Sequence, residues 1–330
     1  MHSLVIGDPQ TTLERFLSPL QHLGVLTADG RLQEGVVLLS VGDHFDFKPP
    51  PGWGVAEVGQ QGLAILKWLS AHPSEQVGIL MGNHDACRVM ELHRIDDAAF
   101  QQAREHADEA SFSERFPDIP TPDIARRDFS SFCVAQREMI QRLLLSGRMR
   151  LAAVGEAPSG RPILITHAGV TTRELSLLGL SDVRSPAVIA SALNAFLDER
   201  LERVRASWEA EVAAPLDLAP LHIPGTSGRE GGGLLYHRPQ ARPLDDWASQ
   251  QARRYHPASL PVGLLQACGH TQHRKMRSLL EHVPEIPEGA LRSLWFDDAI
   301  RYEAGLVERP GGALWMVCLL YTSPSPRDNR

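Results

Sequence analysis

The sequence predicts an α/β protein. Three observations carry that prediction. Five short apolar runs have the length of strands, helix-favouring stretches separate several of them, and a metal-capable or acid–base residue follows each run. A chain of 330 residues suffices for one large domain or two small ones.

Leu4-Val5-Ile6 is the first run and stops at Gly7-Asp8, as a buried strand followed by a loop does. Thr11 or Thr12 is placed to cap the next helix, which carries Leu13, Phe16, Leu17 and Leu20 on one face. Asp29-Gly30 is a turn signal. The second run, Val36 to Val41, stops at Gly42-Asp43, and a helix is expected from about Val55 to Ser70. The third, Val77 to Met81, stops at Gly82-Asn83-His84-Asp85. From about 88 to 150 the chain is charged and rich in helix formers, interrupted between Phe116-Pro117 and Pro122-Asp123. This stretch reads as a helical insertion, or cap, over a site. The fourth run, Ile163 to Thr166, stops at His167, and a second helical stretch follows from about Pro186 to Val212. His222 to Pro243 is rich in Gly, Pro and Arg and reads as loop. The fifth run, Leu264 to Cys268, stops at Gly269-His270. Leu291 to Val317 reads as strands, with turns at Asp297-Asp298 and Gly311-Gly312.

Composition excludes several classes. A net charge of −7 gives no reason to expect an obligatory nucleic-acid partner. No apolar run approaches the length of a membrane span. Met1 to Asp8 lacks the basic and long apolar regions of a secretory signal. Cys87, Cys133, Cys268 and Cys318 form no CxxC pair, which argues against a disulfide framework or a thiolate zinc site. A reducing cytoplasm is the expected setting. The oligomeric state is not legible. Residues Cys318 to Asp328 read CLLYTSPSPRD, which matches residue for residue one reading frame of a transposon adapter used in sequencing libraries. The segment 318–330 is therefore expected to be an adapter-derived artefact, and a single domain is expected over 1–317.

Asp8, Asp43, Asn83, His167 and His270 are the ligand types that hard and borderline divalent cations take: carboxylate, amide oxygen and imidazole. Taken one at a time, each has a plain structural explanation as a turn residue or an interior histidine. Taken together, five strand ends would have to coincide. Asp43 is the choice for a bridging carboxylate. Two ions so bridged would polarise a phosphoryl group and supply a hydroxide for in-line attack. His84, directly after Asn83, is placed to protonate the leaving oxygen, with Asp46 to orient its ring.

The blocks GDHFD (Gly42–Asp46), GNHD (Gly82–Asp85), THAG (Thr166–Gly169) and GHT (Gly269–Thr271) resemble, in order and spacing, the signatures of the calcineurin-like metallophosphoesterase superfamily. Within it the chain most resembles the phosphoprotein-phosphatase branch. That branch includes Ser/Thr protein phosphatases, their bacterial counterparts and the diadenosine tetraphosphate hydrolases. DGRL before the second run, LLYHRP (Leu234–Pro239) and FDDAI followed by GGALWMV add to the likeness. The resemblance implies a four-layer β-sandwich flanked by helices, with a helical insertion. It implies two divalent ions (Mn, Fe, Zn or Ni), with Asp8 and Asp43 at the first and Asp43, Asn83, His167 and His270 at the second. It implies His84 as general acid paired with Asp46, and Arg238 as a contact to the substrate phosphate.

The sequence departs from the family pattern twice. The first block is usually Asp-x-His, and here it is Asp8-Pro9-Gln10. Gln10 is either a weak neutral ligand through its amide oxygen or a loop amide. The second block usually continues Asp-Arg-Gly, and here Asp46 is followed by Phe47-Lys48. Lys48, Arg88, Arg238 and Arg274 are candidates for the missing phosphate grip. His273 is expected on the surface, and His44 is expected to be structural. The expected function is hydrolysis of a phosphomonoester on a phosphorylated protein or small molecule. The alternatives are cleavage of a phosphodiester or dinucleoside polyphosphate, and a catalytically weakened phosphate-binding module.

Overall fold

The computed structural model describes residues 2–225, 231–242, 252–287 and 289–317. The 318–330 segment lies outside them. Elements alternate through the first half: β1 (His2–Ile6), α1 (Leu13–His22), β2 (Val36–Ser40), α2 (Val55–Ser70), β3 (Val77–Leu80) and the single turn α3 (Asn83–Ala86). Then come α4 (Asp97–Glu105), α5 (Phe112–Arg115), a π-helical turn (Ile124–Asp128) and α6 (Val134–Leu145). The second half holds β4 (Met149–Arg150), β5 (Ala152–Glu156), β6 (Pro162–Thr166), α7 (Thr172–Leu177) and α8 (Pro186–Glu209). Short strands β7 (His222–Ile223), β8 (Gly232–Gly233), β9 (Arg238–Pro239) and β10 (Arg254–Tyr255) precede β11 (Leu265–Cys268) and a helix, α9 (His273–Leu279). The chain continues through β12 (Arg292–Phe296), β13 (Ile300–Ala304) and β14 (Ala313–Met316). From 88 to Leu145 the chain runs in turns and separate helices, while Met149 and Arg150 join a sheet as β4.

Among the described residues, one sheet has the order β1-β2-β3-β4, and its neighbours all run parallel. A second has the order β13-β12-β14-β11-β6-β5 and is mixed, with β6, β11 and β14 parallel to one another. Strand alternation explains how the sheets are covered. Leu38 and Ile79 point to one side, into a cluster with Phe16 and Leu20 of α1 and Leu63 and Leu66 of α2. Leu39, Val41 and Leu80 point to the other side, into a cluster with Ile163, Ile165, Leu265, Ala267, Trp295, Ala313 and Trp315 of the second sheet. On the second sheet's far side Leu164 lies in the cluster that holds Leu193 and Leu197 of α8. There too, Cys268, Leu294 and Leu314 meet Met276 of α9. Both sheets are thus apolar on both faces, as their near-continuous apolar runs foretold.

Thr12 caps α1 by accepting the Arg15 N–H at 3.3 Å, so the second of the two threonines is the cap. Residues 87–132 carry their own apolar cluster, centred on Phe100, Phe112, Phe116, Phe129 and Phe132. Among the described residues, no helix is long and apolar enough to cross a membrane.

Helix α2 seats the loop after β2. A Cβ on Gly62 would stand 2.3 Å from the Phe45 ring and 2.6 Å from the His44 carbonyl. Alanine gains ~1 kcal/mol over glycine inside a helix, whereas overpacking against backbone costs about 1–3 kcal/mol. Gly62→Ala should therefore lower the thermal unfolding midpoint despite better helix propensity. Gly311→Ala, with open space around it, should leave the midpoint nearly unchanged.

Candidate metal centre

The residues just beyond β1, β2, β3, β6 and β11 meet at one place between the ends of the two sheets. Asp8 Oδ1 accepts the backbone N–H of His270 at 2.9 Å, joining the loops after β1 and β11. His167 Nδ1–H donates to the Val41 carbonyl at 2.7 Å, joining β6 to β2. Asp43 Oδ1 accepts the His84 N–H at 2.9 Å, joining β2 to α3. Asp8, Asp43, Asn83, His167 and His270 are all buried.

The backbone is bent to make this meeting. Asp8, Asp43, Asp46 and His270 have φ of 37°, 59°, 67° and 61°, and they are four of the seven non-glycine residues with positive φ among the described residues. Asp and His tolerate that region better than most residues, but each such residue still stores roughly 1–3 kcal/mol, which the surroundings must offset. Strain of this kind concentrates where side chains are aimed for function. The two loops also approach very closely. A Cβ on Gly42 would stand 2.4 Å from Gly82 N, so both loops need glycine there.

One carboxylate holds the loops in register. Asp85, fully buried, accepts N–H bonds from Gly82 at 2.9 Å, Asp43 at 2.9 Å and His44 at 3.2 Å. It also accepts from His44 Nδ1 at 3.0 Å. His44 Nε2 in turn meets Ser40 Oγ at 2.9 Å. Ser40, His44 and Asp85 thus have the connectivity of a nucleophilic triad. All three are 0% exposed, so no substrate reaches the hydroxyl, and the chain of bonds is structural.

The ligand atoms converge where protons are scarce. Asp43, His167 and His270 offer ligand atoms within 4.8 Å of one another, a buried group that can hold a metal ion. With Nδ1–H committed to Val41, His167 turns Nε2 toward Asn83 Oδ1 at 3.2 Å and Asp43 Oδ2 at 3.4 Å. Two acceptors facing that nitrogen demand positive charge. Without an ion they hold a proton: burial lowers the His167 pKa, but Asp43 and Asp8 outweigh it and raise the value to about 9. His270 takes the opposite state. Burial first, then the charges of Arg238 and His167, depress its pKa well below the usual range. Its Nε2–H donates to the Tyr236 carbonyl at 2.9 Å, which leaves Nδ1 with its lone pair.

His84 and Asp46 form a second group beside the first. His84 Nδ1 meets Asp46 Oδ2 at 2.9 Å, and the ring keeps 19% of its surface exposed. Burial disfavours its charged form, yet Asp43 and Asp46 prevail and its pKa is raised. Asp46 is held ionised against its burial chiefly by Arg88, at 2.6 Å from Oδ2, and by His84.

Some sequence expectations change. Arg88 is fully buried and committed to Asp46, the His84 carbonyl and Gln136, so it is removed as a phosphate grip. Lys48 and Arg274 are exposed, whereas the Arg238 charge bears on His270 and its guanidinium lies 5.6 Å from the Tyr236 ring centre. His273 is not on the surface: it is buried and stacked on Tyr302, with Nδ1 at 3.0 Å from the hydroxyl. Among the described residues, the Gln10 amide has no hydrogen-bond partner, and only its backbone N–H is tied, to the Asp8 carbonyl at 2.7 Å. Asp85 and Ser131 were missed by sequence reasoning. Asp85 takes the third position of α3 and accepts the Gly82 N–H, half of a capping box, but Gly82-x-x-Asp85 lacks the Ser or Thr by which that motif is read from sequence. Ser131, 85 residues from the Asp46 that it contacts, carries no signal.

Comparison of the chain with protein-family models, with curated proteins and with solved structures gives no match.

A divalent ion held at His167 Nε2 would take the place of the proton there. In metal-free protein the raised pKa contributes stability that is full below about 6.5, the ordinary histidine value. That contribution is lost as pH rises through about 9. Adding Mn²⁺ or Zn²⁺ at pH 8 should raise the unfolding midpoint and release protons, seen as a buffer-dependent heat in titration calorimetry. His167→Ala and Asp43→Ala should remove both effects. Asp85→Ala, which deletes no ligand, should weaken metal binding about 10–100-fold.

Proposed function

We propose that the chain is a metal-dependent phosphoesterase of the calcineurin-like kind, acting on phosphomonoesters. The observation that supports this reading most is the convergence of Asp43, Asn83, His167 and His270 on one buried point, with the Asp46-supported His84 beside it. The layer order also fits. Helices α1 and α2, two sheets sharing one apolar cluster, and helices α8 and α9 succeed one another as in a four-layer sandwich.

Asp43, Asn83, His167 and His270 would hold one divalent ion, and their mixed oxygen and imidazole set suits Mn, Fe, Zn or Ni. A second ion would be held more weakly, by Asp8, Asp43 and the Gln10 amide oxygen. Such ions, when bound, withdraw charge from phosphoryl oxygens and lower the pKa of water. The protein's own groups supply the rest. His84 keeps Nδ1–H on Asp46, so its Nε2 is the atom that gives a proton to the departing oxygen. Arg238, whose charge bears on His270, is the phosphate contact in this reading; being a guanidinium, it can bind two oxygens at once. Cys87, Cys133 and Cys268 stand as thiols, consistent with a cytoplasmic setting. The substrate is taken to be a phosphorylated protein or small molecule.

Release of phosphate from para-nitrophenyl phosphate with Mn²⁺ or Ni²⁺ tests the reading. Asp43→Asn should abolish turnover, and His84→Ala should lower kcat about 10²–10⁴-fold. Turnover by neither metal form, with no ion bound to folded protein, overturns it. Gln10→His should raise the bound-ion count in elemental analysis and increase turnover. An unchanged count and rate would show that position 10 lies outside the centre.

A further inference from the structure

We propose that residues of the 88–150 insertion are positioning residues for proton transfer: Arg88 and Ser131 hold Asp46, and Phe129 backs His84. This rests on the reading of His84 as proton donor.

The Asp46 carboxylate is fully engaged. Its Oδ1 accepts from Ser131 Oγ at 2.7 Å and from the Ser131 backbone N–H at 3.0 Å. Its Oδ2 meets Arg88 at 2.6 Å and His84 Nδ1 at 2.9 Å. Four contacts on two oxygens leave the carboxylate a single orientation, although Asp46 sits on a loop at positive φ. The partners are themselves fixed. Arg88 Nε donates to Gln136 Oε1 at 3.0 Å, and its guanidinium carbon stands 4.7 Å from the Phe45 ring centre. Gln136 Nε2 donates to the Ser131 carbonyl at 2.8 Å, so α6 anchors both supports.

The π-helical turn at Ile124–Asp128 brings the chain to this point. It closes with the Phe129 N–H on the Ile124 carbonyl at 2.9 Å. π-Helical turns are rare and recur at functional sites. Here Phe129 lies edge-on to the His84 ring, centroids 5.1 Å apart at 78°, and Ser131 lands on Asp46. The imidazole is held by an ion pair on one side and an aromatic edge on another, while part of its surface stays open.

The reaction step shows what the cradle is for. A water oxygen bonds to phosphorus and gives up one proton to solvent as the bond from phosphorus to the leaving oxygen breaks. That electron pair goes to the leaving oxygen, which takes the His84 Nε2 proton. The neutral ring then regains a proton from solvent. A dinitrophenolate leaves with little help, whereas an alkoxide or phenolate of high pKa does not. Loosening the cradle therefore penalises poor leaving groups most.

The test measures kcat and KM on 2,4-dinitrophenyl phosphate and on phenyl phosphate, with metal-loaded full-length protein. Ser131→Ala deletes one hydroxyl, keeps the backbone N–H bond and leaves the fold intact. It should lower kcat on phenyl phosphate about 10-fold with KM unchanged, and lower it much less on the dinitrophenyl ester. Arg88→Met should act in the same direction more strongly, and Arg88→Lys, which keeps a charge beside Asp46, should recover part of the loss. If Arg88→Met fails to fold, Ser131→Ala decides alone. Equal losses on both esters, or no loss on phenyl phosphate, overturn this inference and leave the proposed function standing. A wild type inactive on both esters overturns the proposed function itself.

Discussion

The buried carboxylate of Asp85 is the constraint on which the centre depends. Two loops from neighbouring strands must pass within glycine contact of each other, each with a backbone unlike its strand. Their N–H groups at Gly82, Asp43 and His44 lie away from water and have no strand partner in this turn, so each would otherwise stand unmet. An unmet buried N–H costs about 1–3 kcal/mol. One acceptor serving three of them, and His44 as well, makes the bent arrangement stable. It also fixes where Asp43 and Asn83 point, since both sit within two residues of the bonded groups. The same bonds hold the loops and aim the ligands.

Charge is distributed accordingly. Asp46 is answered by Arg88, and Asp85 faces N–H groups and an imidazole. Asp43 is answered by the charges of His167 and His84, by the His167 ring and by the His84 backbone N–H, with no arginine or lysine among the causes that set its ionisation. The pull is strong enough to keep Asp43 ionised in spite of burial, and to hold a proton on His167 well above the range where histidine usually loses it. A purely structural histidine needs one satisfied nitrogen and tolerates a neutral ring. His167 has its Nδ1 satisfied by Val41 and still faces two oxygens with the other nitrogen. A cation can resolve that surplus of acceptors, as the proton on His167 does without one.

Much of this was legible in the sequence because strands and their ends are local. The runs at Val36 to Val41 and Leu264 to Cys268 had the right length and apolarity, and Val55 to Ser70 proved a helix over the span expected. Asp8, Asp43, Asn83, His167 and His270 could be picked out because each stands at the end of a run. The residues that escaped depend on contacts between distant segments. Arg88 looked like a spare cation, since nothing nearby in sequence shows that Asp46 would claim it. His273 looked exposed because it stands in the turn beyond the fifth run, while its partner Tyr302 lies in a strand 29 residues on. Ser131 sits in a stretch whose composition says only helix.

In the proposed reading, the separation between the groups that would hold an ion and the group that would move a proton comes from the chain's order. The candidate ligands come from the ends of sheet strands, where parallel pairing sets positions rigidly. His84, the proposed proton donor, stands one residue beyond Asn83, so the sheet places its backbone but not its ring. Rotation about two side-chain bonds would swing Nε2 away from any leaving oxygen. Something outside the sheet has to stop that rotation, and Asp46 alone cannot, being on a loop itself. The insertion supplies the missing restraint through a buried ion pair, a hydroxyl and an aromatic edge. A segment with its own apolar core thereby becomes part of the site it adjoins.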